Sequence, residues 1–276
     1  MARRRGHPDG RERPGAKLNV RRLLGLLRSL AIYWRPGRQR ALRRLYAPFV
    51  GPGDLVFDVG AHLGDRTAAF AALGARVVAL EPQPHLARWF QRLVGGRPGV
   101  TLRRDAVGRR EGTAVLAMSD VTPTVSTLSE DWRAGAPDRN RTFRNVRWER
   151  RLEVPVTTLD RLIEDHGVPR FCKIDVEGWE AEVLAGLSRP VAGLSLEFVA
   201  GALDVAVACV DRLDALGAYR FNAIVGEGRR FLFPGWVEAA QLRRWLRDGA
   251  GGAPSGDVYA RLHPAGDASA SAAAPD

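Results

Sequence analysis

The chain of 276 residues has only two cysteines and two lysines, and it lacks any long apolar run. Cys172 and Cys209 are too few for a disulfide framework or a four-thiolate zinc site, so we expect a reducing, cytoplasmic environment. No segment has the roughly 18 uninterrupted apolar residues that a membrane-spanning helix requires. The nearest candidate, residues 23–34, contains Arg28 and Ser29.

Acidic residues are nearly absent from the first 50 positions, which contain fourteen basic and two acidic side chains, a net charge of +12. The whole chain carries +11, so the other 226 residues carry −1. Because 40 of the 42 basic residues are arginines, the excess is typical of a compositional bias of the genome. We therefore predict no specific nucleic-acid partner and place the activity in the nearly neutral remainder.

The N-terminal extension divides into two parts. Residues 1–17 are rich in Arg, Gly and Pro, and we expect a disordered basic tail. Residues 18–50 predict a helical N-terminal extension, because Leu23, Leu26, Leu27 and Leu30 recur at helical spacing. Two interpretations stay open for this extension: it covers one edge of the domain, or it makes weak contact with an anionic surface such as a membrane. We favour the first.

From residue 51 to 249, short apolar strands alternate with helical patterns. This alternation predicts an α/β domain with a doubly wound, mostly parallel, Rossmann-like sheet. The predicted strands are residues 55–59, 77–80, 100–104, 113–118, 171–176 and 194–198, with further strands near Phe221 and Phe231. The predicted helices are residues 64–73, 84–93, 158–165, 179–187 and 203–216.

Two segments show no period. We expect residues 119–151 to form a substrate loop that supplies an acceptor pocket or a lid, since long loops are usually functional or disordered. Its Trp132, Phe143 and Trp148 lie among arginines, a mixture that suits a sugar or an acidic glycan, although a poorly ordered insertion is equally consistent. Residues 250–276 are rich in Gly, Ala, Ser and Pro, and we predict a disordered tail.

The turn after the first strand reads Asp58-Val59-Gly60-Ala61-His62-Leu63-Gly64. Glycines at a strand-to-helix turn let the backbone approach a ligand closely. The spacing is Gly-x-x-x-Gly, unlike the Gly-x-Gly-x-x-Gly that binds a dinucleotide pyrophosphate. The turn therefore favours a nucleoside cofactor without phosphates, S-adenosyl-L-methionine, over a dinucleotide. A tight turn with no ligand is the alternative.

Two acids follow the next strands. Glu81 ends the second strand, where a carboxylate can accept hydrogen bonds from both ribose hydroxyls of a nucleoside. Asp105 follows the third strand, where it can accept a hydrogen bond from an adenine amino group. A solvated strand-end carboxylate and a simple Asx turn are the respective alternatives.

The run Lys173-Ile174-Asp175-Val176-Glu177-Gly178-Trp179-Glu180 carries the densest charge in the predicted sheet. Alternation along a strand directs Lys173, Asp175 and Glu177 to one side, toward the crevice at the carboxyl ends of the strands. Charges beside a buried strand are costly unless they are paired or used in binding or catalysis. Ion pairing of Lys173 with Asp175 or Glu177 is the structural alternative.

These motifs together resemble one family. The stretches are VFDVGAHLGDRTAAF, ALEP, DAVG, VPVTTLDRLIEDHG, FCKIDVEGWEAEVLAGL and LSLEF. In this order they are similar to the FkbM-type S-adenosylmethionine-dependent methyltransferases, between about residues 53 and 198. His62 stands where the family usually has Asn. The resemblance implies a class I methyltransferase fold and O-methylation of a hydroxyl on a sugar, a glycolipid or another natural product.

The resemblance also implies roles for single residues. Gly60, Gly64, Glu81 and Asp105 would contact the cofactor, and Asp175 would lie near the reactive methyl group. Asp58 and His62, in the same turn as these glycines, complete the predicted cofactor site.

Methyl transfer to a hydroxyl needs a group that removes the proton as the new bond forms. Asp175 is the first candidate for this catalytic base and Glu177 the second, while Glu177 could instead cap the helix that follows. His62 is a third candidate because it lies beside the turn. Asp175, Glu177 and Glu197 could hold a divalent cation, but their spacing alone does not establish a metal site and we predict none.

Two functions from other classes remain as alternatives. One is an NAD(P)-dependent oxidoreductase on a similar sheet, which the glycine spacing disfavours. The other is a nucleic-acid or membrane-binding protein that uses its basic N-terminus. Removing residues 1–48 should abolish that second function and spare cofactor affinity. The acceptor and the oligomeric state are left open.

Overall fold

A computed structural model describes residues 20–119, 121–139 and 146–263, so the predicted tail at residues 1–17 lies outside it. The helices are α1 (Val20–Tyr33), α2 (Arg38–Tyr46), α3 (Asp65–Ala72), α4 (Pro84–Leu93), α5 (Glu130–Arg139), α6 (Leu159–His166), α7 (Glu180–Ala185), α8 (Leu203–Leu216) and α9 (Ala239–Arg247). The strands are β1 (Leu55–Val59), β2 (Arg76–Leu80), β3 (Val100–Arg103), β4 (Ala106–Val107), β5 (Gly112–Met118), β6 (Arg150–Thr157), β7 (Phe171–Ile174), β8 (Gly193–Val199), β9 (Tyr219–Val225) and β10 (Ser255–Leu262). Among these helices none has both the length and the apolar character to cross a bilayer.

The main sheet has seven strands in the order β3-β2-β1-β7-β8-β10-β9. Every neighbouring pair is parallel except those of β10, which runs antiparallel between β8 and β9. The order reverses between β1 and β7, which is where ligands of open α/β sheets bind. The predicted doubly wound, mostly parallel Rossmann-like fold is confirmed.

Helices cover both faces of the sheet because its central strands are apolar on both sides. On β1, Leu55, Phe57 and Val59 belong to the larger core, which α6, α7, α8 and α9 also form. Val56 belongs to a second core with residues of α2 and α3, including Tyr46. Near-continuous burial of this kind is expected of parallel strands covered on both faces.

The helical N-terminal extension is part of the folded domain. On α2, Leu42 and Tyr46 are buried against Phe70 and Phe171. On α1, Leu26 is buried in a cluster with residues of α4. The inner faces of α1 and α2 therefore pack against the domain, in agreement with the interpretation that residues 18–50 cover one of its edges. Because α2 supplies part of the core, we predict that removing residues 1–48 destabilises the domain and does not spare cofactor affinity.

The prediction of a disordered tail at residues 250–276 is wrong for residues 250–263. Ser255–Leu262 form β10, which hydrogen-bonds along both β8 and β9. The sequence of β10 shows no alternation of apolar and polar residues, yet Val258, Tyr259 and Ala260 are fully buried. At Gly256 any Cβ would collide with the Ile224 carbonyl and the Phe198 ring, so close packing explains the glycine at this position. Residues 264–276 lie outside the described part.

Candidate active site

A cleft of about 1000 Å³, a volume that includes open solvent at its mouth, lies at the carboxyl ends of the central strands. Seven of the eight predicted site residues line it, namely Asp58, Gly60, His62, Glu81, Asp105, Asp175 and Glu177. The eighth, Gly64, is not among its lining residues. It is the N-cap residue immediately before α3, with φ +77°, and any Cβ there would collide with Phe90 and Val94. Gly64 is therefore a packing position between α3 and α4.

The turn after β1 is held tightly against β7. Gly60 has φ +81°, and a Cβ on it would overlap the backbone carbonyl of Asp175. Only glycine satisfies both constraints at this position. His62 has φ +50°, a conformation that a non-glycine residue adopts at an energetic cost, and its N–H donates to Glu81 Oε2 at 3.0 Å. The turn thus brings the β1 and β2 ends together around one carboxylate.

Glu81 is the anchor of this end of the cleft. The residue is only 3% exposed, and its Oε1 accepts a hydrogen bond from the Gln83 N–H at 2.8 Å. Burial raises the pKa of Glu81 to about 8, although the backbone donors His62 and Gln83 oppose the rise. Each carboxylate oxygen has a second lone pair, so Glu81 retains capacity to accept hydroxyl hydrogen bonds.

Asp58 and Asp105 lie at the two sides of Glu81 and differ in environment. Asp58 is fully buried, and its Oδ2 accepts a hydrogen bond from Thr67 at 2.5 Å. Burial raises the pKa of Asp58, while Lys173 acts in the opposite direction. Asp105 is partly exposed and forms an ion pair with Arg103 at 2.7 Å. The apolar lining beside Asp105 consists of Ala106, Val107, Leu116 and Leu128.

The Lys173–Asp175 ion pair weighed as an alternative is present. Lys173 Nζ lies 2.7 Å from Asp175 Oδ2, and the lysine is 1% exposed. Burial alone would raise the pKa of Asp175, but the cations Lys173 and Arg66 outweigh it and lower that pKa to about 2. Asp175 therefore stays ionised at neutral pH. Asp58 is the cross-strand neighbour of Lys173, so the two side chains lie on the same face of the sheet.

Glu177 and Glu197 join Asp175 in a carboxylate cluster, with one oxygen of each within 4.8 Å of the others. Burial, with the charge of neighbouring carboxylates, raises the pKa of both glutamates well above the usual range. Glu177 has φ +56°, and its Oε2 is buried with no hydrogen-bond partner in the described part of the chain. Three such carboxylates could hold Mg²⁺, although Lys173 already compensates one of them.

His62, the third candidate base, is partly buried and lines the same cleft as the cluster. Burial lowers its pKa to about 4, so the imidazole is neutral near pH 7. Its ring packs edge-on against Tyr33, with centroids 5.2 Å apart. Among the described residues, its Nε2 is buried without a hydrogen-bond partner.

Three residues outside the predicted site complete the wall at this end. Tyr33, the last residue of α1, and Glu227, which follows β9, line the cleft. Arg38 connects them: its guanidinium pairs with Asp65 and with Glu227 at 2.7 Å each and lies 5.0 Å from the Tyr33 ring centroid. Asp65 and Glu227 are 27 and 189 residues from Arg38 along the chain, so no local sequence pattern indicates this wall.

Residues 119–151 are not the single loop that was predicted. The described part contains the 3-10 helix Pro123–Val125, the helix α5 and the start of β6. Ser126 donates to Gln83 Oε1 at 3.1 Å and Thr127 to the Glu177 carbonyl at 2.7 Å, which holds this segment over the cleft.

The aromatic residues of this segment do not form the expected sugar platform. Trp132 and Trp148 are absent from the cleft lining. They pack edge to face with centroids 5.8 Å apart, and Trp132 is 6% exposed. Phe143 lies outside the described residues.

Comparison with known families decides the class of this cleft. The methyltransferase FkbM domain matches residues 58–249, about seven-tenths of the chain. The chain belongs to the FkbM methyltransferase family. Family membership makes it an S-adenosyl-L-methionine-dependent methyltransferase and removes the oxidoreductase alternative. No curated protein has a significantly matching sequence.

Solved structures show distant similarity to this FkbM methyltransferase. A precorrin-6y C5,15-methyltransferase from Geobacter metallireducens GS-15 has a TM-score of 0.45 and 12% identity, covering 83% of this chain and 89% of its own. A TehB-like SAM-dependent methyltransferase from Corynebacterium glutamicum has a TM-score of 0.44 and 12% identity, covering 86% and 95%.

The cleft fits S-adenosyl-L-methionine as the family implies. Glu81 would hold the ribose, because its buried carboxylate has acceptor capacity beyond its two backbone donors. The apolar lining between Asp105 and Leu128 suits an adenine ring. Asp58 and His62 line the same cleft, and their atoms Oδ1 and Nε2 are buried without hydrogen-bond partners in the described chain, so both would be available to the polar groups of the cofactor.

Proposed function

We propose that this FkbM methyltransferase is an O-methyltransferase whose acceptor hydroxyl binds at the carboxylate cluster. The observation that supports this most directly is the position of an ionised Asp175 in the same cleft as Glu81. A hydroxyl acceptor needs a hydrogen-bond acceptor and a proton acceptor side by side. A cationic amine is disfavoured, because the Lys173 ammonium lies at this end and the Arg66 guanidinium lines it.

In this proposal Asp175 orients the acceptor. Lys173 occupies Asp175 Oδ2 at 2.7 Å and keeps the carboxylate ionised, and the remaining lone pairs can accept the hydrogen bond of a hydroxyl. Lys173 and the turn at Gly60 fix Asp175 in place. Alignment of the acceptor oxygen supplies much of the rate of a displacement reaction.

Glu177 receives the proton at its buried Oε2. A carboxyl whose pKa is raised is a stronger base than Asp175 once it is ionised. S-adenosyl-L-methionine supplies the methyl group and a positive sulfonium charge, and a positive charge in the cleft favours the ionised form of Glu177. The acceptor is a small molecule or a glycan that bears a hydroxyl.

The chemical shift of the transferred methyl group tests the proposal. The enzyme would be incubated with S-adenosyl-L-methionine labelled with ¹³C at the methyl, together with methyl glycosides and their amino-sugar counterparts. We expect an O-methyl ether, whereas an N-methyl product alone would contradict the proposal. With the productive acceptor, Asp175→Asn should lower turnover by about 100-fold or more and leave S-adenosylhomocysteine affinity nearly unchanged. The exposed Glu111→Gln serves as the control.

A further inference from the structure

The outer face of α1 is apolar. Leu24 is 59% exposed and Leu27 is 52% exposed, and Leu23 and Ile32 are also exposed. The inner face is apolar as well, since Leu26 is buried against α4. Surface helices of soluble domains normally turn polar residues outward. The outer leucines of α1 therefore need a partner that the described chain does not provide.

The same segment carries one sign of charge. Between Arg13 and Gly53 there are ten basic residues and no acidic residue. Arg38 is committed to Asp65 and Glu227. The exposed arginines, none of which pairs with a carboxylate in the part of the chain that the structure describes, are Arg28, Arg35, Arg40, Arg43 and Arg44.

We propose that the outer face of α1 binds the surface of an anionic lipid bilayer. Leu24 and Leu27 would enter the boundary between headgroups and acyl chains, while Arg28 and Arg35 would contact lipid phosphates. The helix would lie in the plane of the interface. This inference does not depend on which acceptor the enzyme methylates.

Charge and apolarity together favour a bilayer over other occupants. A polynucleotide would use the arginines and leave Leu24 and Leu27 in water. A second copy of the chain would cover the leucines but would bring two segments of equal positive charge together. An anionic bilayer satisfies both features at once.

Flotation of the full chain with lipid vesicles tests this inference. One vesicle contains equal parts of phosphatidylcholine and phosphatidylglycerol, and the other contains phosphatidylcholine alone. We expect binding to the anionic vesicle that weakens as salt is raised, and much weaker binding to the neutral one. The double variant Leu24→Ser, Leu27→Ser should bind at least about tenfold more weakly, because it removes most of the inserted apolar area.

A matched variant separates insertion from a general loss of surface apolarity. Val168→Ser combined with Leu232→Ser changes side chains that are 54% and 43% exposed away from α1, and it should bind like the wild type. Circular dichroism and thermal unfolding establish that each variant is folded. Arg28→Gln combined with Arg35→Gln should weaken binding and flatten its salt dependence.

Four results would overturn the inference. They are no binding to either vesicle, equal binding to both, unchanged binding of the leucine variant, and a dimer in sedimentation equilibrium that this variant abolishes. The last result would make a second copy the occupant. Binding of a random RNA oligonucleotide that the arginine variant loses and the leucine variant keeps, without vesicle binding, would assign the surface to nucleic acid.

Discussion

Removing the charge of Lys173 should reveal how strongly the site depends on one buried cation. Lys173 is 1% exposed, contacts Asp175 at 2.7 Å and faces Asp58 across the β1–β7 pair. Lys173→Met keeps most of the side chain's length but leaves the fully buried Asp58 and the partly exposed Asp175 without their cation. Breaking a buried pair on one side costs about 3–5 kcal/mol. For a domain of this size, we expect the melting temperature to fall by on the order of 10 °C.

Urea unfolding of the wild type and three variants would measure this effect. Arg243→Met is the control, since its ion pairs with Asp211 and Asp214 are at the surface and should contribute at most about 1 kcal/mol. Lys173→Met combined with Asp175→Asn should recover part of the loss, because one unpaired charge is then removed as well. A cost for Lys173→Met no larger than that of the control would refute the role assigned to this pair.

The pH dependence of Lys173→Met provides a second check. In the wild type, the pKa of Asp175 lies near 2, below its ordinary 3.8, so its contribution to stability is constant between pH 5 and 8. Asp58 is the group that responds to the loss of the cation, because burial already raises its pKa and Lys173 opposes that rise. The folded variant then binds an extra proton, so its stability should fall relative to the wild type as pH rises from 5 to 8. Parallel pH profiles would contradict this cause.

Three further predictions concern the cleft and its wall. The pKa of Glu81 is about 8, and its ionised form is the better acceptor for ribose hydroxyls. Calorimetry should therefore show that S-adenosylhomocysteine affinity falls as the pH is lowered from 8 to 6, by at most about tenfold per pH unit. Glu81→Gln should remove this pH dependence. Gly60→Ala should abolish cofactor binding or folding. Gly53 has a similar φ of +83° but no atom within 4 Å of the new Cβ, so Gly53→Ala should lower the free energy of unfolding in urea by only about 1–2 kcal/mol. Equal costs for the two variants would contradict the close approach of Gly60 to Asp175. Deleting residues 1–48 should lower thermal stability and cofactor affinity together, because it removes Arg38 and Tyr46. A deletion of residues 1–19 should lower both much less. Full cofactor affinity in the longer deletion would show that the N-terminal extension is not needed by the domain.

The parts of the site that lie within one strand and the turn after it could be predicted from the sequence. The turn at Gly60, the carboxylate of Glu81 and the pair Lys173–Asp175 are each encoded within a few residues. Strand alternation alone placed Asp175 toward the cleft. The shared carboxyl edge of parallel strands then brought these motifs together.

The remainder depends on contacts between distant residues. The wall of Tyr33, Arg38 and Glu227 forms only because α2 packs beside the end of β9, and no local pattern contains that information. The strand expected near Phe231 is absent, and this side chain instead packs against Tyr259 of β10.

Composition misled in two other places. The composition of residues 250–263 resembles that of a disordered tail. These residues nevertheless include β10, a strand hydrogen-bonded on both sides, which tolerates small residues because side chains of the neighbouring strands fill the space around it. Trp132 and Trp148 suggested a sugar platform, but they bury each other's rings.

Calorimetric titration with S-adenosylhomocysteine, beside NAD and NADP, tests the central claim most directly. We predict micromolar binding of S-adenosylhomocysteine alone, and at least about tenfold weaker binding to Glu81→Gln, because a charged acceptor is lost. The exposed Glu111→Gln should bind like the wild type. Binding of a nicotinamide dinucleotide in its place, or S-adenosylhomocysteine affinity that Glu81→Gln leaves unchanged, would contradict the assignment of this cleft.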